Sequence, residues 1–337
     1  MAKKTIREAI NEALRQEMER DETVILMGED IAGGAGLDGE PDAIGGVMGV
    51  TKGLYATFGP ERVIDTPITE SAIIGLAAGS AVTGLRPVAE LMFVDFLGVC
   101  FDQILNQAAK FRYMFGGKAK TPMVVRTTYG GGLGAAAQHS QCLYQMFTMV
   151  PGIKVVIASN AYDAKGLMIQ AIRDDDPVIF FEHKARYDDA VEVPDEPYTI
   201  PFGEAKYVRE GDDATIIAIG GMVSEAIKAA EILAGEGIDT TIIDPRTTSP
   251  LDVDTILEAA EETGRVVVVD EANPRCSIAA DIAGLIVGHA FDALKAPVRQ
   301  VTAPHTPVPF APELERLYMP DAAKIATAVR DVVNHGK

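Results

Sequence analysis

The sequence predicts an α/β protein built as two doubly wound domains. Short Val- and Ile-rich runs alternate with helical stretches along nearly the whole chain. The runs are apolar throughout, the pattern of parallel strands covered on both faces. One acidic stretch carrying Pro194, Pro197 and Pro201 interrupts the alternation, which then restarts. At 337 residues, 47% of them hydrophobic, the chain is long enough for two sizeable cores.

In the first half, strands are expected at 23–29, 62–66, 87–93, 123–129, 154–159 and 177–182, each bounded by Gly, Pro or Asp. Helices fall between them near 5–20, 70–84, 96–115 and 161–174. The segment "YDDAVEVPDEPYTIPFGEAKYVREGDD", 187–213, lacks apolar periodicity and reads as a linker between domains at 1–186 and 214–337. Beyond it come strand 214–220, helix 224–235, strand 238–243, helix 250–263, strand 265–270, helix 277–294, strand 297–302 and helix 321–334. Ser249 and Pro250 read as the cap and first-turn proline of the helix at 250–263. The Pro-rich stretch 302–320 reads as a turn segment.

Composition narrows the function. A net charge of −19 disfavours nucleic acid and anionic membrane as partners. No uncharged apolar run approaches the ~18 residues of a membrane span, and the charged N-terminal helix lacks the apolar stretch of a signal peptide. Cys100, Cys142 and Cys276 are widely spaced, which points away from a disulfide framework or zinc site and toward a reducing cytosol. His183, His289, His305 and His335 form no metal-ligand spacing, and HExxH, P-loop and GxSxG motifs are absent.

Three stretches carry candidate chemistry. In "RVIDTPITES", 62–71, a strand and turn lead to Glu70 at the start of a helix of small apolar residues. Glu70 is either a carboxylate favoured by the helix dipole or a functional acid at the carboxyl end of a parallel strand. Gly75 and Gly79 on that helix form a ridge permitting close approach of another helix or subunit. In "MVVRTTYGGGLGAAAQHSQ", 123–141, a strand runs into G-x-G-x-x-A at Gly130–Ala135, either a dinucleotide loop or a simple connection. His139 follows it, placed either to shuttle protons or to serve structure. In "PVAELMFVDFLG", 87–98, Glu90, Met92, Phe93 and Phe96 sit where a strand gives way to a helix, most as core residues, the exception being a large apolar side chain lining a flat cofactor.

Together with "ELMFVDFLGVCFDQILNQAAKFRYMFGGK", "AAAQHSQ", "YDAKGLMIQAIRDDDPVIFFEHK" and "DEANPRCSIAADIA", the "RVIDTPITES" motif makes the chain resemble a known family over nearly its whole length. That family is the beta subunit of the thiamine-diphosphate-dependent first component of 2-oxo acid dehydrogenase complexes. "GEDIAGGAGLDGEPDAIGGVMGVTKGL" and "VTAPHTPVPF" look most like its acetoin dehydrogenase branch. The resemblance implies an N-terminal pyrimidine-type thiamine-diphosphate-binding fold and a C-terminal transketolase C-terminal-like domain.

It also implies roles. Glu70 hydrogen-bonds N1′ of the cofactor's aminopyrimidine and selects the tautomer that activates C2, since a buried carboxyl strongly favours the form that bonds it. Met92 and Phe96 line the aminopyrimidine. His139 faces the reacting carbon and relays a proton during transfer to lipoamide. The GDG and Asn pair that hold Mg²⁺ and diphosphate in this family are missing here. An alpha subunit is therefore expected to hold them, in an α2β2 heterotetramer. Carbonyls around "AIRDDDP", at Ala171, Ile172, Asp174 and Asp176, are expected to hold a monovalent cation, K⁺. The implied reaction cleaves acetoin to acetaldehyde and passes the remaining two carbons to the lipoyl group of the acyltransferase component, which the second domain is expected to bind. Oxidative decarboxylation of pyruvate or a branched 2-oxo acid is the neighbouring alternative. A nicotinamide-dependent oxidoreductase using Gly130–Ala135 is the alternative of another class, and a structural subunit with a dead site a third.

Overall fold

The computed structural model describes residues 1–33 and 44–336; part of the acetoin-type stretch, 34–43, lies outside them. The chain forms two compact units, Met1–Tyr129 with Met146–Phe202 and Gly130–Gln145 with Gly203–Lys337.

The first unit begins with β1 (Ala2–Thr5) and α1 (Ile6–Arg20), the helix opened by a reciprocal capping box between Thr5 and Glu8. Then come β2 (Val24–Gly28), α2 (Leu54–Phe58), β3 (Val63–Asp65), α3 (Glu70–Val82) and β4 (Arg86–Phe93). After α4 (Leu97–Asp102), α5 (Phe111–Met114), β5 (Val124–Tyr129) and α6 (Tyr144–Thr148) follow β6 (Lys154–Ile157), α7 (Ala161–Arg173), β7 (Val178–His183) and β8 (Ala190–Val193). Six strands form a parallel sheet in the order β6-β7-β5-β4-β2-β3. Val124, Val178 and Phe180 share a core with α1 and α7, while Val125, Ile179 and Phe181 on the alternate face are equally buried. Burial on both faces explains the unbroken apolar runs.

The helix expected at 96–115 is broken. A 3₁₀ turn (Val94–Phe96) leads into α4, a π turn (Gln103–Ala108) follows, and α5 is separate. Gly75 belongs to this feature, because a Cβ there would lie 3.2 Å from Oε1 of Gln103. The close approach at Gly75 is thus made within the unit. Gly79 opens to space, with nothing within 4 Å of a built Cβ.

The stretch read as a linker is ordered, partly by pairing with the distant N-terminal strand. β8 pairs antiparallel with β1, Ala2 opposite Val193. The buried Lys165 ammonium donates to the carbonyls of Pro194 (2.6 Å) and Asp195 (3.0 Å), and Tyr198 stacks on Tyr162 at 4.8 Å. Gly166 makes room: a Cβ there would meet Ile200 and Tyr198 at 2.7 Å. Gly166→Ala is therefore expected to cost about 1–3 kcal/mol, measured as a lower denaturation midpoint with assembly retained.

The second unit contains β9 (Lys206–Arg209), β10 (Ala214–Ala218), α8 (Met222–Ala234), β11 (Thr240–Asp244), the short β12 (Thr247–Ser249), α9 (Val253–Thr263) and β13 (Val266–Asp270). It ends with α10 (Ile278–His289), β14 (Arg299–Thr302), α11 (Pro312–Tyr318) and α12 (Ala322–Val333). Its sheet runs β14-β13-β10-β11-β9, parallel except for β9, which joins antiparallel at the edge. β9 comes from the second part of the expected linker. The helix expected from Pro250 starts later, because Asp252 is its cap and accepts from Thr255 N–H at 3.1 Å. Within the stretch read as a turn, Pro312 begins α11 at its first position, where a missing N–H costs nothing.

Candidate active site

In the first unit the chain passes from β2 to β3 on one side, then to β4 on the other side of β2. The carboxyl ends of β2 and β4 therefore flank a topological switch point, where open α/β sheets hold ligands. Glu29 follows β2, Met92 is the next-to-last residue of β4, and the turn after β3 delivers Glu70 to the first position of α3. Thr66 N–H bonds the Gly28 carbonyl at 2.9 Å, and Asp65 accepts from Ala32 N–H at 2.6 Å, which ties the turns together. Ser71 Oγ donates to the Val99 carbonyl, fastening α3 to α4.

Glu70 is half-buried, and its carboxylate makes no hydrogen bond among the described residues. The helix N-cap, Thr69, makes no side-chain cap bond either. Its place in the first turn of α3 is the helix-dipole position read from sequence, and it leaves the carboxylate oxygens without a capping bond. Its charge reaches its neighbours. Burial, then Asp30 and Glu70, hold Glu29 above the usual carboxylate range, and burial followed by Glu70 pushes the Cys100 thiol up to about 12. Met92 and Phe96 are partly exposed rather than core residues. Thr128 Oγ1 fixes the Met92 carbonyl at 2.6 Å, and Phe96 packs edge-on against Phe93 at 5.8 Å.

Glu29 was not singled out from sequence, and Glu90 was read there only as one of four residues at the end of a strand. Glu90 belongs to a buried ionic cluster. Arg126 donates two bonds to Glu182 (2.7 and 2.8 Å) and one to Glu90 (2.9 Å), and Tyr187 OH donates to Glu182 at 2.6 Å. Burial raises the Glu90 carboxyl against the pull of Arg126, with Glu182 and Glu29 adding to the rise. The signal lay in the sequence as charged residues inside apolar strands, which must pair to be buried.

His139 lies in the Gly130–Gln145 segment, which packs with the second unit. There the Gly-rich loop meets the carboxyl end of β13. Gly131 N–H donates to Glu271 (2.7 Å), and Gly132 and Gly134 N–H donate to Glu315 (2.9 and 3.0 Å). The amides that a dinucleotide phosphate requires are therefore occupied by the chain's own carboxylates, which removes the structural basis of the nicotinamide reading.

The turn expected to hold a monovalent cation is laced with basic side chains. Arg86 Nη1 bonds the carbonyls of Ile172 and Asp174, both at 2.9 Å. Asp174 pairs with Lys154 at 2.7 Å, Asp176 pairs with Arg112, and the Ala171 carbonyl accepts from Asp174 N–H at 3.3 Å. Among the described residues no group of three His, Cys, Asp or Glu is placed to hold a metal ion, and no helix is long and apolar enough to cross a membrane.

The pyrimidine-binding domain of transketolase matches residues 2–189, and the transketolase C-terminal domain matches 203–325. The chain is 62% identical to the acetoin:2,6-dichlorophenolindophenol oxidoreductase subunit beta of Cupriavidus necator, over the full length of both. It is 56% identical to the subunit of the same name from Bacillus subtilis, over 97% of this chain and 96% of that one. The chain belongs to the beta-subunit family of thiamine-diphosphate-dependent acetoin and 2-oxo acid dehydrogenases. A split-gene transketolase, described as an inactive beta4 tetramer, shares the fold with a TM-score of 0.80 at 23% identity, over 99% of this chain and all of that one. Glu70, half-buried and without a hydrogen bond among the described residues, follows β3, while the partly exposed Met92 and Phe96 lie at and after the end of β4, on the other side of β2 in the same sheet. A carboxylate and apolar side chains are the residue types an aminopyrimidine ring requires. The chain offers no GDG motif for the diphosphate end.

Proposed function

We propose that this chain is the beta subunit of an acetoin dehydrogenase, holding the aminopyrimidine end of thiamine diphosphate while an alpha subunit holds the diphosphate and its Mg²⁺. The observation that carries the reading is the Glu70 carboxylate, half-buried at a switch-point edge with no hydrogen-bond partner among the described residues. When bound, the cofactor supplies the nucleophilic carbon that opens the acetoin C–C bond and releases acetaldehyde. Glu70 holds the proton shared with ring nitrogen N1′ and so sets the ring's tautomer. Met92 and Phe96 keep water off the ring, which strengthens that bond. His139 moves a proton during transfer of the remaining two carbons to a lipoyl group of the acyltransferase.

The full-length likeness to two subunits named for acetoin supports that substrate. The subunit naming supports a heteromeric assembly, read here as α2β2, and the outer face of α3, with exposed Leu76 and open Gly79, is a surface suited to a subunit contact. Cys100, Cys142 and Cys276 form no disulfide among the described residues, which suits a reducing cytosol. The carbonyls at 171–176 are read as a cation site already served by Arg86, with K⁺ as an additional occupant. A rise in Tm with KCl over LiCl is expected if K⁺ binds.

The deciding experiment has two arms. In calorimetry, thiamine diphosphate with Mg²⁺ is expected to bind weakly to this chain alone and tightly once the alpha subunit is added. With the reconstituted pair and an artificial electron acceptor, acetoin is expected to turn over faster than pyruvate or 2-oxoisovalerate. Tight binding by the isolated chain, or preference for an oxo acid, would overturn the assignment.

A further inference from the structure

The second unit has its own switch point, at β10 and β13, and its carboxyl edge is occupied by the chain itself. The Gly130–Gln145 loop lies there, held at several points by carboxylates. Glu271, directly after β13, takes Gly131 N–H. Glu315, on α11, bridges Gly132 and Gly134 N–H with its two oxygens. Tyr144 OH donates to Asp270, whose other oxygen accepts from Ala279 N–H at 3.1 Å. Glu315 is 5% exposed and Glu271 3%, and no Lys or Arg is paired with Glu315 among the described residues. A buried anion satisfied only by amide donors is costly to misplace, because each lost donor leaves charge uncompensated. Gly131 is tailored to the contact: a Cβ there would lie 2.8 Å from Met319 Sδ and 3.4 Å from Glu315 Oε1. Farther along the loop, His139 N–H closes a turn on the Ala136 carbonyl, with Ala136 itself at φ 60°. A pocket of about 410 Å³ lies between Ala137 and Gln141 of this turn and Asn273, His305 and Tyr318. Asn273 Nδ2 ties that wall to α11 through Tyr318 OH at 3.1 Å.

We propose that Glu315 is a positioning residue for the reaction: its carboxylate, bridging two loop amides, sets the turn that presents His139, and the step that uses His139 depends on it. The inference rests on the role given above to His139. Both carboxylate oxygens of Glu315 are engaged by loop amides, so its influence is expected to run through the loop. Displacing a reacting group by about 1 Å costs on the order of 100-fold, so loosening the latch is expected to lower transfer to lipoamide by roughly 10- to 100-fold.

The test uses the reconstituted alpha–beta pair carrying Glu315→Gln, with Gly131→Ala as a second variant that crowds the same contact from the loop side. Expected are faster amide hydrogen exchange confined to peptides covering 130–145, reductive acylation of a lipoyl domain reduced as stated, and a KM for acetoin unchanged. In a His139→Ala background, Glu315→Gln should add no further loss of transfer, since residues acting as one unit are not additive. Unchanged exchange at 130–145 with His139→Ala inactive would overturn the latch alone. Full additivity of the two substitutions would overturn it as well, leaving Glu315 a general stabiliser. Normal transfer in His139→Ala would overturn both the latch and the role of the histidine.

Discussion

Glu70→Gln should abolish proton exchange at C2 of bound thiamine diphosphate while the alpha–beta assembly forms normally. The carboxamide keeps the size of the side chain but cannot hold the shared proton at N1′ in the same way. Glu29, whose carboxyl is raised by burial, Asp30 and Glu70, follows a different strand, β2. Loss of a general acid–base group commonly costs about 10²–10⁴-fold, so acetoin turnover should fall by at least about 100-fold. Exchange is read by NMR after mixing the reconstituted enzyme with cofactor in D₂O, and assembly by light scattering. Wild-type exchange in the variant would remove Glu70 from the mechanism.

The largest expected effect on stability is at Arg126. Arg126→Met would strip the shared cation from Glu90 and Glu182, which are 15% and 1% exposed at their side chains. Burial already raises the Glu90 carboxyl with the guanidinium present. Removing one partner of a buried ionic cluster typically costs about 3–5 kcal/mol, because the remaining charges are left uncompensated. A drop in Tm of about 10 °C is expected. Adding Glu182→Gln should recover part of it, since one of the stranded charges is then neutral. A change comparable to that of an exposed pair, under about 1 kcal/mol, would show that water reaches the cluster.

The parallel sheets were readable because both-face burial writes itself into sequence as unbroken Val and Ile runs, as in "VVVV" at 266–269. Pairing that depends on a distant partner was not. β1 and β8 are only four residues each and largely exposed, and they pair across nearly 190 positions. β9 is half-buried along its length and forms on an edge already made by β11. α11 hid behind its prolines. Glu70 was legible as a position, because a carboxylate where a strand turns into a helix has few roles, and its family motif added the rest. His139 was legible only as a type of residue in a type of loop. The acids that restrain that loop carry no local pattern, since they lie beyond residue 270 and act through backbone amides.

Those tethers bear on the order in which the protein matures. The glycine loop meets its two acids across 140 and 183 positions of chain. During synthesis the first unit's central strands emerge long before Glu315 does, so under the proposed latch the turn bearing His139 lacks its Glu315 tether until residue 315 has left the ribosome. A nascent chain halted before α11 would carry that turn on its Glu271 and Asp270 tethers alone, however well its early half had formed.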